Sequence, residues 1–170
     1  MRYASIRSMD VSNGTGIGVA LFVQGCHFHC KDCFNEETWD FDGGKEFDDD
    51  TRQYFIQLVG KKHINRVSIL GGCPLCDENV KEVYELLRDI KHAYPSITVW
   101  VYTGYTWEQL IQDEESYRFK ILNYIDVLVD GKYENDKRDL SLAHKGSRNQ
   151  RVIDVQTSLA LEANTVFLYE

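Results

Sequence analysis

The sequence has few of the features that mark disordered, secreted or membrane-spanning proteins. It contains two prolines in 170 residues and no low-complexity tract, which argues against long disordered linkers. No apolar run approaches the ~20 residues that cross a bilayer, and the first ten residues lack the apolar stretch of a secretory signal. We therefore expect a cytoplasmic protein with no membrane partner, folded as a single domain over residues 1–170.

Positive charge is scarce as well. The 19 Lys and Arg residues stand against 27 Asp and Glu, so the formal net charge is −8. Because binding to a phosphate backbone needs a cationic surface, we do not expect a nucleic acid as partner. One local basic stretch forms either a solvated surface or a contact for a protein partner; it comprises Lys137, Arg138, Lys145, Arg148 and Arg151.

Cysteine, by contrast, is clustered. Cys26, Cys30 and Cys33 lie within eight residues, and Cys73 and Cys76 flank a Pro-Leu pair. In a cytosolic protein, such clustering favours metal or redox chemistry over a framework of disulfides.

Four short apolar runs predict buried strands, because they are rich in valine and isoleucine and are bounded by turn residues. They cover residues 19–23, 67–70, 97–102 and 125–129. Helical patterns lie between them, and strand and helix therefore alternate. We expect an α/β fold, a partial (β/α) barrel of mostly parallel strands.

Three helices are predicted between these strands. The first covers residues 48–59, and the third opens at residues 106–109, which have the form of a capping box. The second begins with Asp77 as its cap and has apolar residues at three- and four-residue steps. It stops near Tyr94, which precedes Pro95.

Glycine follows each predicted strand. Gly25, the pair Gly71 and Gly72, Gly104 and Gly131 all occupy such positions. In parallel α/β folds the loops at the carboxyl ends of the strands form the active face, and glycine there lets backbone approach a ligand closely. We expect a shared ligand-binding rim at this edge.

The first cysteine group can hold an iron–sulfur cluster. Cys26, Cys30 and Cys33 follow the first predicted strand directly. Four thiolates would close a cubane cluster, whereas three leave one iron open, as a catalytic metal site requires.

The spacing alone leaves two other sites open. A structural zinc would combine the same three cysteines with His27 or His29, or with Cys73 or Cys76. A closed four-cysteine cluster for electron transfer would use one of the same two additional cysteines.

Longer motifs resemble one family. CxxxCxxC after a first strand is the signature of the radical S-adenosylmethionine superfamily, whose fold is a full or partial (β/α) barrel. The flanking stretches are similar to the anaerobic ribonucleoside-triphosphate reductase activating proteins, which are glycyl-radical-enzyme activases. In chain order these stretches are residues 10–16 followed by ALFVQGC, then residues 33–39, 100–105, 126–133 and 146–151.

The resemblance implies a radical mechanism. S-adenosylmethionine would bind the open iron of a [4Fe–4S] cluster through its amino and carboxylate groups, and an electron from the reduced cluster would break a C–S bond. The 5′-deoxyadenosyl radical so released would take a hydrogen from one glycine of the large reductase subunit. A low-potential donor such as flavodoxin or ferredoxin would supply the electron.

The resemblance also implies roles for single residues. Cys26, Cys30 and Cys33 would ligate iron and form the catalytic centre. The residues implied in binding S-adenosylmethionine are Asp32, Cys33 and Phe34 at the nucleoside, Gly71 and Gly72 at the methionyl amino group, and Asp130 and Lys132 at the amino or carboxylate end. Asp130 and Lys132 have an alternative role as a surface ion pair.

Two positions depart from the family pattern. Cys73 stands where the family has an acidic residue, and a thiol is a poor substitute for a carboxylate in a charge-assisted bond to an ammonium group. Gly18 stands where activases commonly carry arginine.

The sequence also permits other functions. The chain is alternatively an activase of another glycyl radical enzyme, or a small radical enzyme that acts on a free metabolite. A non-enzymatic alternative is a zinc or iron–sulfur binding module.

Overall fold

One sheet organises the computed structural model, which describes residues 1–161 and 165–169. Among these residues the sheet has eight strands in the order β3-β1-β2-β4-β5-β6-β7-β8. The strands are β1 (Arg2–Asp10), β2 (Gly18–Val23), β3 (Lys45–Glu46), β4 (Arg66–Gly71), β5 (Thr98–Tyr102), β6 (Val127–Asp130), β7 (Arg151–Asp154) and β8 (Phe167–Tyr169).

The centre of the sheet is parallel and its flanks are antiparallel. Strands β2, β4, β5 and β6 pair in parallel, as the four apolar runs predict. The prediction of a mixed α/β fold is confirmed, but that of mostly parallel strands is wrong, because four of the seven pairs are antiparallel. The flanking strand β1 mixes polar with apolar residues and is largely exposed, so it lacks the continuous apolar run that marks a central strand.

Helices connect the parallel strands, and one further helix follows β7. They are α1 (Asp49–Val59), α2 (Val80–Ala93), α3 (Trp107–Leu110), α4 (Tyr117–Lys120) and α5 (Val155–Ala160). Across the described ranges, no helix has both the length and the apolar character that a membrane crossing requires.

Two of the three predicted helix starts are confirmed. Asp48 caps α1 by accepting from the Thr51 N–H, and Thr106 forms a capping box at α3. The prediction for α2 is wrong, because this helix begins after Asn79. Asp77 lies in the preceding turns, where its carboxylate accepts from Arg118 at 2.8 Å.

The two faces of the sheet pack differently, since successive residues of a strand point to opposite sides. In β2, Val19, Leu21 and Val23 belong to the main core cluster, which includes apolar residues of α1 and α2. Ala20 and Phe22 point to the other face and form a smaller cluster with Leu70 of β4. This second face carries less apolar packing and leaves room for a cavity.

Candidate functional site

A cavity of about 700 Å³ lies against the second face of the sheet. Its lining includes Phe22, Leu70, Tyr102 and Val129, which stand at or one residue before the carboxyl ends of the four parallel strands. The loops that follow those ends therefore surround one end of the cavity, as expected for a parallel α/β fold.

The three clustered cysteines meet at this cavity. Cys26, Cys30 and Cys33 all line it, and each is half-buried. The Cys26 N–H donates to the Trp39 carbonyl at 3.1 Å, and the Cys33 N–H donates to the Cys30 carbonyl at 3.1 Å. His29 between them has a φ of 46°, a left-handed conformation that tightens the loop. The backbone thus brings all three thiols to one wall.

The two histidines of the loop have other partners. The Nε2 atom of His27 lies 2.7 Å from a carboxylate oxygen of Glu78, and His29 stacks on Trp39 with ring centroids 4.5 Å apart. Within the described part of the chain, no three His, Cys, Asp or Glu side chains are placed to hold one metal ion. The thiolates that hold a cluster lie farther apart than the ligands of one metal ion, because each thiolate binds a different iron. In this structure the two histidines of the loop are therefore engaged by Glu78 and Trp39.

Burial favours the protonated form of two of these thiols, those of Cys26 and Cys30. Desolvation raises the pKa of Cys26, and it also raises the pKa of Cys30, with a further contribution from the neighbouring Cys33. The Tyr133 backbone and the Lys132 ammonium group oppose that rise at Cys30. Because iron binds thiolates, binding a cluster here would release protons.

The glycine pair lets two strand-end loops touch. Gly71 has a φ of +99°, and a Cβ on it would lie 2.8 Å from the Val23 carbonyl oxygen; a Cβ on Gly72 would lie 2.4 Å from the Gly25 carbonyl oxygen. The Gly72 N–H donates to the Val23 carbonyl and the Cys73 N–H to the Gly25 carbonyl. Among the described residues no donor reaches the Gly72 carbonyl, so this loop offers an acceptor to a ligand.

Cys73 lines the cavity beside this loop. It is 1 % exposed, and its Sγ atom lies 3.4 Å from Oγ1 of Thr103. Cys76 is also buried, but it lies outside the cavity lining. Burial, with smaller contributions from Cys73 and Glu78, raises the pKa of Cys76 to about 12. The second cysteine pair therefore places one thiol in the site and one in the core.

Two further residues expected to bind a cofactor lie at the cavity. Phe34 lines it with its ring 5.0 Å from that of Tyr133, and Lys132 lines it with its ammonium group 5.2 Å from the centroid of the Phe28 ring. An aromatic surface and a cation thus stand on the same side as the cysteines.

Asp130 and Asp32 lie outside the cavity lining. Asp130 is buried and accepts from the Trp107 N–H at 2.7 Å and from Nε of Arg151 at 3.0 Å. Its carboxylate therefore anchors α3 and β7, and its role in binding a cofactor stays a prediction. Asp32 is exposed and has a φ of 57° in a turn of the cysteine loop, and its binding to a cofactor stays a prediction.

The basic stretch does not act as one surface. Lys145 lines the cavity, Arg151 pairs with Asp130 and Glu108, and Lys137 pairs with Glu134 at 3.0 Å.

The cavity residues that were not singled out from the sequence include Arg7, Ser12, Asn13, Thr103 and His144. Three of these, Ser12, Asn13 and Thr103, lie inside stretches that carry the family resemblance, which was the available signal.

Comparison with known proteins supports a 4Fe–4S domain. A family model described as a 4Fe–4S single cluster domain matches residues 12–153. The anaerobic ribonucleoside-triphosphate reductase-activating protein of Pasteurella multocida is 38% identical over 152 residues, covering 88% of this chain and 95% of that protein. The protein of the same name from Haemophilus influenzae is 37% identical, covering 88% and 96%. That of Enterobacteria phage T4 is 36% identical, covering 89% and 93%.

The class that the fold and the matched model define is that of 4Fe–4S single cluster domains. More narrowly, the chain belongs to the family of anaerobic ribonucleoside-triphosphate reductase-activating proteins. The family predicted from five motifs is thereby confirmed.

Proposed function

We propose that the protein holds a [4Fe–4S] cluster on Cys26, Cys30 and Cys33 and binds S-adenosylmethionine beside it. With them it forms a glycyl radical on an anaerobic ribonucleoside-triphosphate reductase. The observation that carries this proposal is the meeting of three half-buried cysteines and the Gly71–Gly72 loop in one cavity of about 700 Å³. That volume is within the usual range for sites that bind a cofactor of this size.

The chain's own residues fit the two groups. Three thiols on one wall provide three cluster ligands and leave the fourth iron to a ligand in the cavity. When bound, the cluster and S-adenosylmethionine supply reductive cleavage of a carbon–sulfur bond, and the protein contributes binding and orientation.

The walls of the cavity suit the polar groups of S-adenosylmethionine. The carbonyl of Gly72, which no donor among the described residues reaches, would accept a hydrogen bond from the methionyl ammonium group, and Lys132 would pair with the methionyl carboxylate. Phe34 and the Cys33 backbone would meet the nucleoside, where an aromatic ring stacks well on adenine. The backbone at Asp32, outside the cavity lining, stays a predicted contact of the nucleoside. Asp130 has no part in this proposal, since Arg151 occupies its carboxylate.

The floor of the cavity is apolar. Phe22, Leu70 and Val129 present side chains that neither donate nor accept hydrogen bonds, so water in the middle of the cavity finds few partners and a bound cofactor would displace it readily.

The partner follows from the family. Relatives bear the name of activating proteins of anaerobic ribonucleoside-triphosphate reductase, so we assign the large subunit of such a reductase as the protein substrate. A low-potential donor such as flavodoxin or ferredoxin, a cytoplasmic location, a single domain over residues 1–170 and a curved partial (β/α) barrel remain predictions that accompany this assignment.

Two measurements test the proposal. The reconstituted, reduced protein should convert S-adenosylmethionine to methionine and 5′-deoxyadenosine under anaerobic conditions. Addition of a reductase subunit should then produce a glycine-centred radical in the electron paramagnetic resonance spectrum, and a reductase whose radical glycine is replaced by alanine should not. Cleavage without that radical, across reductases from several sources, would favour another glycyl radical enzyme or a free metabolite as substrate.

A further inference from the structure

Three residues lie in a row across the sheet at the end opposite the cysteine loop. Asp10 of β1 is the register partner of Gly18 of β2, and Gly18 is the register partner of Arg66 of β4. Asp10 and Arg66 are both buried, and Nη2 of Arg66 lies 3.0 Å from a carboxylate oxygen of Asp10. The arginine therefore reaches across the middle strand to pair with the aspartate.

The Arg66 guanidinium group has an acceptor for each of its five N–H donors. Nε donates to the Thr15 carbonyl at 3.0 Å, and Nη1 donates to the Asn13 carbonyl at 3.1 Å and to the Ser68 hydroxyl. Nη2 donates to the carbonyl and to the carboxylate of Asp10. Most of these acceptors belong to residues 10–15, so one buried cation fixes the connection between β1 and β2.

Glycine at position 18 makes this reach possible. A Cβ built on Gly18 would lie 2.6 Å from Cζ of Arg66, far inside contact distance, and one on Gly14 would lie 2.4 Å from Cδ. Gly18 does not have the left-handed φ that would itself require glycine. Glycine is therefore needed at position 18 because any side chain there would overlap the Arg66 guanidinium group.

The segment that Arg66 holds is part of the cavity wall. Ser12 and Asn13 line the cavity, and the Ser68 hydroxyl also donates to the Asn13 carbonyl. We propose that Arg66 is a positioning residue, which keeps Ser12 and Asn13 in place in the cavity wall. This inference rests on the proposed function for its effect on the reaction.

The test displaces the guanidinium without removing it. Gly18→Ala adds one methyl group where Arg66 lies, and the exchange variant Gly18→Arg with Arg66→Gly starts the arginine from the strand directly beside Asp10. Val11→Ala, at an exposed position of the same segment, is the control. Each variant is examined with its cluster in place for iron content, amide hydrogen exchange of residues 11–16, and S-adenosylmethionine cleaved per glycyl radical formed.

We expect Gly18→Ala to keep its iron and to speed amide exchange in residues 11–16 by about tenfold or more, equivalent to losing one good interaction. Cleavage per radical should rise several-fold, and the exchange variant should restore both quantities. A folded Gly18→Ala variant with unchanged exchange would overturn the anchoring role. Faster amide exchange with an unchanged ratio of S-adenosylmethionine cleaved per glycyl radical would overturn the positioning role. So would a failure of the Gly18→Arg, Arg66→Gly double variant to restore both quantities. If wild-type protein cleaves no S-adenosylmethionine, the proposed function fails, while hydrogen exchange still tests the anchor.

Discussion

At the scale of single residues, the cavity separates side chains that bind from side chains that support. Cys30 and Cys73 both line the cavity, yet the first is half-buried on the cysteine loop and the second is fully buried beside Thr103. Asp130, two residues before Lys132, accepts a hydrogen bond from Arg151, whereas Lys132 lines the cavity. Neighbours in sequence therefore have different roles because their long-range contacts differ.

Replacing any one of the three loop cysteines by alanine should abolish the cluster. The reason is that three thiolates are the minimum for a cubane with one open iron. Iron and sulfide analysis after anaerobic reconstitution measures the effect on Cys26→Ala, Cys30→Ala and Cys33→Ala. Cys76→Ser is the control and should keep its full content, since Cys76 lies outside the cavity lining. A full cluster in any of the three alanine variants would refute the ligand assignment.

Cys73→Asp should bind S-adenosylmethionine more tightly. A carboxylate at this position can pair with the methionyl ammonium group, and a hydrogen bond to a charged group contributes roughly 1.5–3 kcal/mol, or about ten- to a hundredfold in affinity. We expect the lower end, because a carboxyl at a position that is 1 % exposed favours its protonated form without ligand, and that proton must leave before the ion pair forms. Equilibrium dialysis measures the affinity.

The uncharged Cys73→Asn variant is the matched control for this change. It has nearly the same shape as aspartate and should show little or no gain. An equal gain in both variants would rule out a charge effect. Loss of iron from Cys73→Asp, measured in parallel, would instead indicate that the Cys73 thiolate is itself a cluster ligand.

At the scale of elements, the carboxyl ends of the parallel strands form the site because their loops crowd together. The loop after β4 donates two backbone hydrogen bonds to the end of β2 and the residues after it, from the Gly72 N–H to the Val23 carbonyl and from the Cys73 N–H to the Gly25 carbonyl. These contacts leave no space for side chains on Gly71 or Gly72. The end of β6 is less crowded: a Cβ on Gly131 would have nothing nearer than 3.9 Å.

Gly71→Ala should therefore destabilise the protein more than Gly131→Ala does. Both glycines have positive φ, +99° and +91°, so both variants incur the strain of a left-handed alanine, about 1–2 kcal/mol. Only Gly71→Ala adds a clash with backbone atoms of β2, which brings its loss to about 3 kcal/mol or more. Urea unfolding measures both free energies, and equal losses would contradict the crowding argument.

At the scale of the whole molecule, the sheet combines a parallel centre with antiparallel flanks. Folding of this sheet withdraws two weakly acidic side chains, a thiol and a phenol, from water. Cys76 and Tyr102 both have a raised pKa because folding removes them from water. Such groups favour the folded state only while they are protonated.

The cluster-free protein should therefore lose stability in alkali. The unfolded Cys76 thiol releases its proton near pH 9, whereas the folded thiol holds its proton up to a pKa of about 12. Between these values the unfolded state binds fewer protons, so the free energy of unfolding falls as pH rises, by roughly 2–4 kcal/mol from this thiol. Unfolding curves at several pH values measure the slope. Cys76→Ser should show a shallower decline, and an identical slope in both proteins would show that Cys76 does not contribute.

The sequence by itself determined the parallel centre of the fold and the cysteine loop. Strands β2, β4, β5 and β6 could be predicted because strands buried on both faces are apolar throughout, which is a local signal. The three-cysteine spacing and the motifs beside it likewise lie within short stretches, and so do the caps at Asp48 and Thr106.

Only the tertiary structure decided the partners of charged residues and the flanks of the sheet. Asp130 meets Arg151 21 positions later, and Arg66 meets Asp10 56 positions earlier, across a glycine that has no local reason to be there. Strands β1 and β7 pair at the flanks, where polar residues interrupt the apolar pattern. Local periodicity reports burial of a segment, whereas an ion pair or a strand pairing depends on which distant segment packs beside it.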